Sequence, residues 1–292
     1  MSDEILKQVR QSIFRGLLDS VAFHRGLVLI VKSEKVRVRV VQCLVLNGVI
    51  FLGSIFIFQN ILGPLLRSGL GFLLQLESSE HTLDVMQAWI EWIYFLLWIV
   101  PVYLLSFILN TLWYQDIARE SMRVFPPIST RSAASSSSIS SGIVQVIFRS
   151  LFNLIFLLYL CLLYRWKWVY AINLAWLVAY NAFEYRWIAD KLTFDEKINL
   201  FEKNYIYFMF FGIGTAIFAV QFPAIVENGL ISLVLPFHIM SASTAGNPPV
   251  ISVPKSLPWL DRTVLSWLER FPVLLVPESI TKFLIIATKR FI

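Results

Sequence analysis

The sequence predicts an all-α polytopic membrane protein. Its parts are two long transmembrane helices, four further hydrophobic segments, and amphipathic interfacial helices at both ends. Three observations carry this. Hydrophobic residues make up 57% of the 292 residues and charged residues only 15%, against about 25% charge in a soluble globular chain. So few charges cannot cover a soluble surface of this size, whereas lipid tolerates the deficit. Two uncharged runs are long enough to cross a bilayer, and the 24 Phe and 10 Trp suit the aromatic belts of membrane interfaces.

Residues 1–39 read as a basic, amphipathic cytosolic segment. Ile5, Val9, Ile13, Leu17 and Val21 recur at four-residue intervals, with Lys7, Arg10, Arg15 and Asp19 mainly on the other side. Such a helix suits an anionic cytosolic leaflet. A helix packed on the protein's own cytosolic surface has the same periodicity, and periodicity does not choose between them. Residues 1–15 lack the continuous apolar stretch of a cleavable signal peptide, so the first span is expected to direct targeting.

The membrane domain is expected over 40–245. Val40 to Leu66 is uncharged between Arg39 and Arg67; its 27 residues reach about 40 Å as a helix, more than a hydrocarbon core of about 30 Å. Trp92 to Gln115 gives 24 uncharged residues, with Pro101 as a possible kink that lipid-embedded helices tolerate. The second half is less regular. Ser150–Tyr164 (15 residues) and Trp168–Phe183 (16) flank Arg165-Trp166-Lys167, while Asn204–Val226 (23) and Asn228–Met240 (13) carry Gly212, Gly214, Pro223 and Pro236. Two architectures fit: six spans, or two spans followed by two hairpins that enter without crossing. The charged Arg-Trp-Lys tip has to reach a headgroup layer or a polar cleft.

Two segments outside the bilayer complete the chain. Residues 124–142 read as a mobile serine-rich cytosolic loop with too little to bury. Residues 246–292 read as a proline-rich linker and an amphipathic tail. In that tail Leu260, Val264, Trp267, Leu268 and Phe271 form an apolar stripe, and Trp267, Leu268 and Phe271 are the candidate partner-docking residues. Residues 1–39 hold eight Lys and Arg, the 67–91 loop is acidic, and 116–149 is basic again. The positive-inside rule then puts both termini in the cytosol.

No catalytic constellation emerges, so an enzyme is not expected. There is no glycine-rich phosphate loop, Cys-x-x-Cys pair or His-Glu-x-x-His helix. His24, His81 and His238 are dispersed, and Cys43 and Cys161 lie in apolar runs. Neither metal, cofactor nor disulfide is expected, and no nucleic acid. Gly212-Ile213-Gly214 reads as a close helix contact. The informative polar residues lie at membrane depth: Gln42, Asn47 and Asn110 on the long spans, with Asn153, Asn173, Asn181 and Gln221 on the later segments. Interhelical hydrogen bonding is the expected role, and a hydrophilic pathway the alternative.

Particular words in the sequence carry a resemblance. Val41-Gln42-Cys43 and Asn47-Gly48 open the first span. Leu109-Asn110-Thr111-Leu112-Trp113-Tyr114-Gln115-Asp116-Ile117-Ala118 ends the second. Phe183-Glu184-Tyr185-Arg186-Trp187 and Leu235-Pro236-Phe237 follow. In order and spacing, residues 38–245 resemble the etoposide-induced membrane protein family, endoplasmic-reticulum proteins linked to autophagy and apoptosis. The resemblance implies residence in the endoplasmic reticulum and a role in autophagosome formation or maturation. It also implies distant kinship with the bacterial CysZ sulfate permeases, which combine long spans with partly penetrating hairpins, and so favours the hairpin architecture.

The function expected is a membrane scaffold whose partners are the lipid bilayer and a membrane protein, with a lipid-transfer assembly as the candidate. An anion permease is the alternative, and an apoptosis regulator acting through partner binding a third class. Asp116, Glu184 and Arg186, which the resembling words single out, are expected to cluster where the second span and the first hairpin meet the cytosolic interface, because partly desolvated charges need partners.

Overall fold

The computed structural model describes residues 2–74, 80–126 and 139–249, with Ser279. Among these every regular element is helical. Helices α1 (Ser2–Ser20) and α2 (Phe23–Lys32) precede two long helices, α3 (Glu34–Gly69) and α4 (Asp84–Val124). Then come α5 (Ile139–Leu163), α6 (Lys167–Ala189), α7 (Phe194–Lys203), α8 (Tyr205–Ala219) and α9 (Ala224–Thr244). By length and composition, α3, α4 and α9 are able to cross a membrane, with 36, 41 and 21 residues.

Local chemistry explains several boundaries. Ser33 caps α3 by accepting from the Val36 N–H at 3.4 Å, with Glu34 in the first turn, where acidic charge favours the helix dipole. Thr193 and Glu196 form a reciprocal capping box at the start of α7. Pro101 does not break α4. It sits just past a π-helical stretch, Phe95–Ile99, where the wider turn absorbs the missing N–H. Helix α5 starts at Ile139, inside the stretch read as a loop; residues 127–138 of that loop lie outside the described residues, as does the tail with Trp267, Leu268 and Phe271.

Contacts along α4 give the depth of the hairpins. Toward its C-terminal end Asp116 pairs with Arg39 of α3 at 2.9 Å, and at the other end Asp84 pairs with Arg67 at 2.7 Å. Helix α9 runs between these layers. Ile225 packs on the buried Phe51, Ile55 and Ile99 cluster, and Tyr114 donates to the Ser232 carbonyl at 2.9 Å. At the other end of α9, Arg25 donates to the Thr244 carbonyl at 3.4 Å. The α8–α9 turn therefore lies level with Ile99, about 25 Å of helix from Asp116 and about 12 Å short of Glu91. Tyr170 donates to Glu227, which holds the α5–α6 turn at the same depth. The hairpins enter from the end of α4 that carries Asp116 and turn back level with Ile99, while α3 and α4 continue past them as a two-helix stalk.

The core sits between the hairpins. Phe183 meets Phe208 and Phe211 edge-on at 5.0 Å each, and Phe201 stacks on Phe208 at 4.5 Å. The stalk instead exposes Trp89, Trp92, Leu96 and Leu97, as a lipid-facing surface does. Helix α1 packs on α8. Its buried face is small and polar: a Cβ on Gly16 would lie 2.5 Å from the Tyr207 carbonyl oxygen, and Asp19 accepts from the Tyr207 hydroxyl at 2.8 Å. Leu17 and Val21, expected on the packing stripe, face outward with Leu6, Phe14 and Leu18.

Candidate functional site

One face of α4 presents Tyr103, Ser106, Asn110 and Tyr114 at helical spacing. Together with Asn47 of α3, Asn153 of α5, Asn181 of α6 and Asn228 of α9 they line a cleft of about 130 Å³ inside the apolar zone. None of its described lining residues is charged. Asn47 and Asn110 exchange two hydrogen bonds: Asn47 Nδ2 donates to Asn110 Oδ1 at 3.1 Å, and Asn110 Nδ2 donates back at 2.9 Å. Both side chains are buried, so each amide meets in its neighbour the partner that lipid withholds. Asn47 also donates to the Cys43 carbonyl at 2.9 Å.

Breaking this pair from one side is expected to cost more than removing it whole. Asn110→Leu strips the Asn47 carbonyl oxygen and one of its N–H groups of their partners and should cost about 1–3 kcal/mol. The double replacement of Asn47 and Asn110 by Leu should recover a good part of that loss. Thermal unfolding in detergent of both singles and the double gives the coupling; strictly additive losses would dismiss the pair as an interaction.

The other candidate residues at depth divide between the cleft and local bonds. Asn153 and Asn181 line the cleft. Asn173 donates to the Val169 carbonyl at 2.8 Å and exposed Gln221 to the Ile217 carbonyl at 3.1 Å. Gln42 accepts from Arg39 Nη1 at 2.9 Å and so belongs to the charge layer around Asp116.

That layer corrects the expected cluster of Asp116, Glu184 and Arg186. Asp116 takes its partners from α3 and its own helix: Arg39 at 2.9 Å, Lys35 at 3.6 Å and Arg119 at 3.9 Å. Arg186 turns the other way. Its Nη1 donates to the Ala242 and Ala245 carbonyls at 3.2 and 2.6 Å, and its Nε lies 3.8 Å from Asp190. Burial pushes the Asp190 carboxyl up from its ordinary range, against the pull of the Arg186 charge. Glu184 is buried at 2% exposure. The N-terminal part of α3 packs on the C-terminal part of α4, which delivers Arg39 and Lys35, one turn apart, to Asp116. Helix α6 packs on α8 and α9, which delivers Arg186 to a helix end rich in unpaired carbonyls.

Sequence reading missed Glu227. It separates two apolar runs and reads as a boundary between them, yet it is 2% exposed and accepts from Tyr170. The available signal was a single carboxylate beside a proline-marked hairpin turn, four residues after Pro223.

The family model described as Sulfate transporter CysZ/Etoposide-induced protein 2.4 matches residues 22–226. A Dictyostelium discoideum protein named Protein EI24 homolog is 28% identical over 284 residues, covering 96% of this chain and 85% of that protein. An Arabidopsis thaliana protein of the same name is 25% identical over 283 residues, covering 85% of this chain and 87% of that protein. No solved structure was found to match. The matched stretch takes in both long helices, the first hairpin, the first helix of the second and most of the cleft. The chain is a membrane protein belonging to the Sulfate transporter CysZ/Etoposide-induced protein 2.4 family.

Proposed function

We propose that this multi-pass protein is a non-enzymatic scaffold of the endoplasmic-reticulum membrane, with both termini in the cytosol. In this reading it supports autophagosome formation or maturation by disturbing one leaflet and docking a lipid-transfer partner. The observation that carries this is the mismatch between its two flanks. On one flank α3 is uncharged from Val40 to Leu66, about 40 Å of helix. On the other the hairpin turns stop about 12 Å short of Glu91 and expose Trp166, Trp168, Phe218 and Phe222 next to Arg165 and Lys167. Aromatic rings beside cations are interfacial chemistry, so headgroups dip toward the turns and the bilayer thins on that flank. Helices α1 and α2 add outward apolar faces, with Leu17, Leu18, Leu27 and Val31 exposed, that float in the cytosolic interface. A thinned, crowded leaflet releases lipid more readily, which is what growth of a new membrane demands.

The family description also names sulfate transport, and an anion permease is the alternative. The uncharged described lining of the cleft weighs against it, because a desolvated dianion needs compensating charge. Liposomes holding the purified chain test both readings. Radiolabelled sulfate uptake should stay at the protein-free level. Exchange of a fluorescent phospholipid should rise when a lipid-transfer protein that co-purifies with the chain in mild detergent is added. Saturable sulfate uptake would replace the scaffold by the permease.

A further inference from the structure

We propose that the amide-lined cleft binds the hydroxyl end of an uncharged membrane lipid, a sterol or a diacylglycerol. The proposal stands apart from the scaffold reading and rests on unused hydrogen-bonding capacity. Ser106 is 5% exposed, lines the cleft, and its Oγ has no hydrogen-bond partner. An unpartnered hydroxyl in apolar surroundings is costly, and sites that carry one generally hold a ligand or water. One turn along α4, Asn110 spends one N–H and one carbonyl lone pair on Asn47; an amide offers two of each. A ligand alcohol, at once donor and acceptor, matches both neighbours.

Charge and shape narrow the class. With no charged residue among its described lining, the cleft offers nothing to offset a desolvated phosphate. A volume of about 130 Å³ accommodates several water-sized groups, enough for a hydroxyl and the carbons behind it. The mouth is apolar and faces lipid: Phe107 is 45% exposed and Leu157 half-buried, so a ring system or acyl chain continues outward into the bilayer. Depth agrees. Asn110 and Ser106 lie about 9 and 15 Å of helix inward of Asp116, beneath the phosphate layer, where the alcohol of a lipid without a phosphate can sit.

The test uses the full chain in phosphatidylcholine nanodiscs, with tritiated cholesterol and tritiated dioleoylglycerol measured separately. Saturable binding of at least one is expected, unaffected by tenfold excess phosphatidic acid, and whichever binds identifies the source of the hydroxyl. Ser106→Ala should bind about fivefold more weakly, the loss of one ordinary hydrogen bond. Because it removes an unpaired buried hydroxyl, it should melt no lower than wild type, which a merely structural serine would not do. Asn181→Leu should weaken binding about tenfold by replacing a polar wall; should it fail to fold, Ser106→Ala decides. The proposal falls if neither lipid binds saturably, leaving water as the occupant. It falls equally if folded variants bind like wild type, or if phosphatidic acid competes.

Discussion

Gly212→Ala is expected to lower folded yield sharply and to destabilise the purified protein by about 3 kcal/mol or more, at the upper end of overpacking costs. A Cβ at Gly212 would lie 2.0 Å from the Ala175 carbonyl oxygen and 2.7 Å from its carbon. Both are backbone atoms of α6, so no rotamer change relieves the clash and the two helices have to part. Separation would also pull Phe208 and Phe211 of α8 away from Phe183, the centre of the aromatic core. Two positions on, Gly214→Ala meets nothing within 4 Å and should be neutral or gain up to about 1 kcal/mol from helix propensity. Comparing the two melting temperatures in one detergent isolates the contact. Equal behaviour of the two variants would refute the close approach of α6 and α8.

Arg186→Met is expected to cost about 3–5 kcal/mol, the range for removing one member of a buried charged network. At 5% exposure the guanidinium closes the end of α9 by donating to the Ala242 and Ala245 carbonyls, groups that no further turn of helix satisfies. It also lies beside Asp190, whose carboxylate would lose its counter-charge. Arg186→Lys should fall between, because an ammonium keeps the charge but not the planar fork that spans two carbonyls. Asp116→Asn separates this account from the clustering the sequence implied. It should loosen the α3–α4 contact through Arg39 and leave the α9 end intact. Limited proteolysis after Thr244 would report the difference, and a wild-type melting temperature for Arg186→Met would remove the capping role.

The Gly212-Ile213-Gly214 pair marks how far sequence reading reaches. Two glycines in an apolar run signal a close helix approach, and one exists, but only Gly212 makes it. Which of the pair faces the neighbour depends on the rotation of α8, and α8 is apolar almost all round, so no amphipathic stripe fixes that rotation. The same holds for α6, whose side chains from Tyr170 to Trp187 are nearly all buried. Asn47 and Asn110 were legible as polar groups needing partners in lipid. That they partner each other, 63 positions apart, followed only once α3 and α4 were laid side by side.

By itself the sequence determined the solvent and the lengths: too few charges for water, two runs longer than a bilayer is thick, and three later segments too short to match them. These are one-dimensional quantities, set by composition and by rise per residue. Only the tertiary structure decided the pairings. Charges at helix ends in lipid are held by whichever opposite charge or bare carbonyl the packing brings near, so Asp116 went to Arg39 and Lys35 while Arg186 went to the end of α9. Glu227, which reads as a boundary in the sequence, became a buried partner of Tyr170 because two hairpin turns meet at one depth, and contact between distant turns leaves no periodic trace along the chain.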